Sequence, residues 1–143
     1  MRALLIDWMI TAHLKFKLRE ETLYMAINIM DRYLEADKVS KAKLQLVGVT
    51  ALIIASKYEE IYAPELRDFI TIADNNIKKS EILSMEHLIL SRLRFDLVFT
   101  SSSRFLDRYM KLAKADETVY NLGKYILETS LLEYKMLKYK PSI

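Results

Sequence analysis

The 143-residue chain contains no cysteine and only two glycines and two prolines. Without cysteine there is no disulfide framework and no thiolate metal site. So little glycine and proline excludes the frequent tight turns that a sandwich or barrel needs, and favours helices. Gly48 and Gly123 stand alone, so no glycine-rich loop cradles a phosphate. The two histidines, His13 and His87, lack a ligand-like spacing, and each reads as a surface or interhelix residue. No metal site and no cofactor are expected.

Charge of a single sign is also missing. The 22 Lys and Arg interleave with 19 Asp and Glu for a net +3, without the basic stripe that marks a nucleic-acid binder. The longest apolar run, Leu44–Ala55, is interrupted by Gln45, Gly48 and Thr50 and falls short of the ~20 residues of a membrane-spanning helix. Arg2 and Asp7 break the first apolar stretch, unlike a secretory leader. A soluble chain is the expectation. Glu59 and Glu60 are adjacent, but neighbours on a helix end diverge, whereas acid–base catalysis needs groups that converge on a cleft. No serine sits in a nucleophile elbow. An enzyme is not expected.

What is present is apolar mass: 52% hydrophobic residues beside 29% charged ones, enough for a core in one domain, or one domain and part of another. Helical spacing predicts a first helix over Arg2–Lys17, with Ala3, Leu4, Trp8, Ala12 and Phe16 on its apolar stripe. A second is predicted over Glu20–Ala36, with Leu23, Ile27, Met30 and Leu34 inward and two carboxylates in its first turn, where the helix dipole favours them. The third, Lys41–Tyr58 with Ser40 as N-cap, is apolar on nearly every face and must be surrounded by the others. Gly48 within it predicts the close approach of a neighbouring helix. Pro64–Ile70 reads as a short helix with proline in its first turn, Asp74-Asn75-Asn76 as a turn with Asn76 as the following cap, and Lys78–Arg94 as a helix with Ile82, Met85, Ile89 and Leu93 inward.

After the polar run Thr100–Ser103, a boundary and a helix start, two more amphipathic helices follow, Arg104–Ala113 and Glu117–Leu132. Two helices enclose little core, so exposed apolar surface and self-association are expected around Ile126–Leu137. Ile29–Leu34 (IMDRYL) echoes Phe105–Met110 (FLDRYM), but nothing around either hexamer extends the match, and the echo reads as chance.

The ordered strings MRALLIDWMITAHLKFKL, ETLYMAINIMDRYL, KLQLVGVTALIIASKYEEIYAPE, MEHLIL and LRFDL resemble the cyclin box of mitotic A/B-type cyclins. KFKL and LLEYKMLKYKPS are more similar to the B-type. The resemblance implies an all-α fold: a five-helix box around a central apolar helix over residues 1–99, then the first helices of a second, incomplete box over 100–143. It implies that the chain begins at the first box helix, without the upstream helix and degradation motif of the family.

The implied function is regulatory: binding and allosteric activation of a cyclin-dependent protein kinase in cell-cycle control, with substrate recruitment, in nucleus and cytoplasm. The kinase-binding residues carried over are Lys57 and Glu86, with Ile61 and Phe95 nearby. By themselves Lys57 reads as a solvated helix end and Glu86 as a surface carboxylate. A docking patch for Arg-x-Leu-type substrate or inhibitor peptides is implied at Met1, Leu4, Trp8, Leu44 and Gln45, although spacing alone reads the Met1–Leu4–Trp8 stripe as core. Thr11 stands where A-type cyclins carry the glutamate that pairs with the motif arginine, so arginine selectivity is in question. Arg2 and Asp31 match a pair that forms a buried salt bridge within the box, a structural role. The alternative is a cyclin-fold adaptor in transcription that binds DNA or peptides, for which a basic DNA-facing stripe would speak.

Overall fold

The computed structural model describes residues 1–74 and 76–143 and contains, among them, seven α-helices and no strand. They are α1 (Arg2–Phe16), α2 (Glu20–Ala36), α3 (Leu44–Glu59), α4 (Leu66–Ile72), α5 (Lys79–Arg92), α6 (Ser102–Ala113) and α7 (Glu117–Leu132). Short 3₁₀ turns precede α3 (Lys41–Lys43) and follow α7 (Tyr134–Lys138). No helix of the described residues is long and apolar enough to cross a membrane.

The core forms around α3. Every residue from Val47 to Ser56 is buried, because a helix apolar all round is stable only when enclosed. Thr50, the polar interruption, donates its hydroxyl to the Leu46 carbonyl at 2.7 Å and so enters the core with its hydrogen bond made. A Cβ placed on Gly48 would stand 2.8 Å from Leu5 Cδ1, so glycine is what lets α1 lie this close to α3. From α5, Ile82, Met85, Ile89 and Leu93 all point inward as expected.

Several local expectations are corrected. In α1 the buried face is Leu5, Ile6, Met9, Ala12 and His13, while Ala3 and Leu4 are exposed and Trp8 is half-buried. Apolar residues occupy so much of this helix that periodicity alone does not select a face, and its packing on α3 does. Of the two places expected for His13, surface or between helices, it takes the second: it is buried on the inward face of α1. In α2 burial extends beyond one stripe to all of Thr22–Ile27, and Leu34 is only partly covered. Ser40 makes no side-chain cap; instead the Lys43 N–H donates to the Ser40 carbonyl at 3.0 Å in the 3₁₀ turn.

Pro64 lies outside α4, whose N-terminus is set by a capping box in which Asp68 accepts from the Glu65 N–H at 3.0 Å. The cap residue of α5 is Lys78, not Asn76, with Glu81 accepting the Lys78 N–H at 2.8 Å. The predicted turn at Asp74–Asn76 includes Asn75, which lies outside the described residues. α5 also ends two residues early, at Arg92, because Arg94 and Phe95 both adopt left-handed backbone (φ 54° and 57°).

Beyond residue 100 the helix starts follow side-chain caps. Ser101 accepts from the Ser103 N–H, and Asp116 from the Val119 N–H. The two similar hexamers fall on α2 and α6 and have different partners: Asp31 pairs with Arg2, while Asp107 accepts from the Tyr120 hydroxyl.

Candidate functional site

α3 leaves the core at its last turn, where Ser56 is buried and Lys57 is exposed. α5 runs beside it and presents Glu86 at the same level. The Lys57 ammonium donates to Glu86 Oε1 at 2.7 Å, so the two residues singled out from separate segments form one ion pair. The lysine side chain is 56% exposed and the glutamate 16%. This asymmetry leaves donors of Lys57 open to a partner while the helices hold Glu86 in place.

Ile61 and Phe95, just beyond the ends of α3 and α5, are 88% and 67% exposed, unusual for large apolar side chains. Each lies beside a polar tie to α2. Arg32 donates to the Asp96 carbonyl at 2.8 Å and pairs with its carboxylate at 3.3 Å, which holds the turn containing Phe95 against its unfavourable left-handed backbone. On the other side, Glu60 Oε1 accepts from the Arg19 N–H at 2.8 Å and from the Thr22 hydroxyl at 2.5 Å. Sequence reasoning missed Arg32, Asp96 and Glu60 in these roles. Their partners are tens of residues away, and no local spacing signals such a contact.

The second predicted patch has mixed burial. Met1 and Leu4 are 63% and 71% exposed, whereas Trp8, Leu44 and Gln45 are half-buried. The Met1–Leu4 end of the stripe is therefore surface and not core. Thr11 is exposed and donates its hydroxyl to the Asp7 carbonyl at 3.1 Å, one turn back on its own helix. It offers no carboxylate to an arginine.

Arg2 and Asp31 pair bidentately, with both N–O distances 2.7 Å. A third donor of Arg2 reaches the Leu131 carbonyl of α7 at 2.9 Å, a contact that sequence did not reveal. Burial holds the His13 imidazole below its ordinary pKa, while nearby Glu20 and Glu60 oppose that shift; its Nδ1 has no hydrogen-bond partner. Among the described residues no cluster of three or more His, Cys, Asp or Glu could hold a metal ion.

This arrangement of helices coincides with known relatives. The family model of the cyclin N-terminal domain matches residues 1–98, and that of the cyclin C-terminal domain matches residues 100–143. The chain belongs to the cyclin family. It is 51% identical over 142 residues to the G2/mitotic-specific cyclin-B2 of Anguilla japonica, covering 99% of this chain and 36% of that protein. The G2/mitotic-specific cyclin-B2 of Homo sapiens is 48% identical with the same coverage, and Cyclin-B2-1 of Oryza sativa subsp. japonica is 48% identical over all of this chain and 34% of its own length. The chain thus spans little more than a third of these relatives.

Among solved structures, a viral cyclin from herpesvirus saimiri superimposes with a TM-score of 0.86 at 22% identity, covering 98% of this chain and 63% of the viral one. A chain of the yeast RNA Pol II CTD kinase CTDK-1 complex gives 0.83 at 15% identity, covering 99% and 50%. At such identities they establish the fold alone, which is the all-helical cyclin fold.

Proposed function

We propose that this chain is the kinase-binding part of a mitotic, B-type cyclin, which activates a cyclin-dependent protein kinase and supplies no catalytic group. The observation that carries the reading is the Lys57–Glu86 pair, 2.7 Å apart and flanked by exposed Ile61 and Phe95, in a chain of this family. An open ammonium at a helix end can bind partner carbonyls, and the two apolar side chains supply area at about 25 cal/mol per Å² before ordering costs. Activation then works by population shift: the cyclin binds the kinase conformation whose catalytic residues are assembled and so raises its share.

Residues 1–99 form the first box in this reading, and residues 100–143 contribute the start of a second. Met1, Leu4, Trp8, Leu44 and Gln45 form a docking patch for Arg-x-Leu-type substrate or inhibitor segments. Thr11 weakens its preference for arginine. The site of action is nuclear and cytoplasmic, where such a kinase meets its substrates.

The test is to mix the chain with a mitotic cyclin-dependent kinase and measure histone phosphorylation. The Lys57 ammonium is exposed, and such pairs contribute only about 0–1 kcal/mol to stability, so Lys57→Glu or Glu86→Ala should leave the fold intact. Each substitution should abolish activation with unchanged helicity by circular dichroism. Normal activation by both variants would remove the site assignment.

A further inference from the structure

Helix α2 begins without a side-chain cap of its own: Arg19 occupies the N-cap position and makes no such bond. The first turn of a helix leaves N–H groups that need acceptors. Here a carboxylate 41 residues away in sequence serves the start of the helix, since Glu60 Oε1 accepts from the Arg19 N–H and from the hydroxyl of Thr22, a residue with no exposed surface.

Glu60 is also the C-cap of α3. Its own N–H donates to the Ser56 carbonyl at 3.0 Å, and its backbone turns from helical to extended (φ −89°, ψ 141°). One residue therefore ends α3 with its backbone and grips α2 with its side chain. The next two residues, Ile61 and Tyr62, are 88% and 92% exposed, with no packing of their own to fix their direction.

We infer that Glu60 is a positioning residue: its bonds to α2 set the direction in which the chain leaves α3, and so hold Ile61 ready for a protein partner. The inference rests on the kinase-binding reading for the identity of that partner, but not for the anchor itself. It needs a carbonyl-type acceptor at this place and not a full charge. Glu60→Gln, which keeps Oε1, should therefore behave like the parent, whereas Glu60→Ala should not.

Two measurements test it. In the free chain, backbone ¹⁵N order parameters at Ile61 and Tyr62 should stay near the rigid value of about 0.85 in the parent and in Glu60→Gln, and fall below about 0.6 in Glu60→Ala. In kinase titrations Glu60→Ala should raise Kd about tenfold, as expected for the loss of the two hydrogen bonds that Oε1 accepts. That loss should nearly vanish in an Ile61→Ala background, because the two residues act through one contact and their effects are not additive. Unchanged order parameters in Glu60→Ala, a Glu60→Gln that fails like it, or additive losses would each overturn the inference. A parent chain that binds no kinase would overturn the proposed function instead, and the order parameters would still decide the anchor.

Discussion

Helices α3 and α7 both contain 16 residues, yet α3 has ten consecutive buried positions and α7 has none. Helix length does not explain this contrast; α3 is apolar on every side and has helices around it, whereas α7 has a polar face and fewer neighbours. α3 is enclosed by α1, α2 and α5, so every side of it meets another apolar surface. α7 lies on the rim of that unit, with α1 and α6 as its main neighbours, and leaves Leu122, Tyr125 and Ile126 more than half exposed. Its hold on the first unit is largely polar: Arg2 to the Leu131 carbonyl, Lys124 to Glu20, and Arg104 of α6 to Glu21. Only Leu131 and Leu132, at its last turn, pack on the core. The first region is thus held by burial and the second by a seam of charges and carbonyls.

The sharpest way to break the comparison is to damage each region in turn. Leu52→Ala empties a fully buried site in the middle of α3 and should cost about 2–5 kcal/mol, seen as a lower urea midpoint for the whole first unit. A cost under ~1 kcal/mol would mean that α3 is less tightly enclosed than the structure shows.

Arg2→Met removes three donors at once and leaves Asp31 without its cation. The pair is partly covered (16% and 18% exposed), so the expected loss is about 2–4 kcal/mol, slightly below that for a fully buried pair. Because Arg2 also holds α7, amide exchange in α7 should accelerate more than in α3. Equal acceleration in both helices would show that the two regions unfold as one.

The smallest effect should come from pH. The folded state holds His13 below its ordinary pKa, so between that lowered value and about 6.5 the unfolded chain binds a proton that the folded chain does not. Stability should therefore be unaffected by His13 above about pH 7, and should decline as pH falls below about 6.5. The decline belongs to the first region, where His13 lies beside Glu20 and Glu60. His13→Gln should flatten that part of the stability–pH curve, and an unchanged slope would remove the residue from the account.

Much of the fold was legible because helical spacing is a local property. Glu20–Ala36 and Glu117–Leu132 have the predicted bounds, and Ile82, Met85, Ile89 and Leu93 form the predicted inward stripe. Errors collected where a local pattern had two solutions. α1 is apolar on too many sides for periodicity to separate Leu5 and Ile6 from Ala3 and Leu4. The starts of α4 and α5 were placed by proline and asparagine, whereas Asp68 and Glu81 make the reciprocal bonds that set them.

The candidate site shows the same division. Lys57, Glu86, Ile61 and Phe95 were singled out by resemblance, and nothing in their spacing indicated that Lys57 and Glu86 would pair. Thr11 could be read directly, since its side chain has no carboxylate wherever it stands.

By itself the sequence determined that this protein is helical and that Leu44–Ala55 must lie at its centre, because side-chain periodicity and apolarity are written along the chain. Only the tertiary structure decided which side of α1 faces inward, that Lys57 meets Glu86, and that Glu60 caps a helix begun 40 residues earlier. Those choices depend on which helices meet, and a contact between distant segments leaves no mark in the spacing of either one.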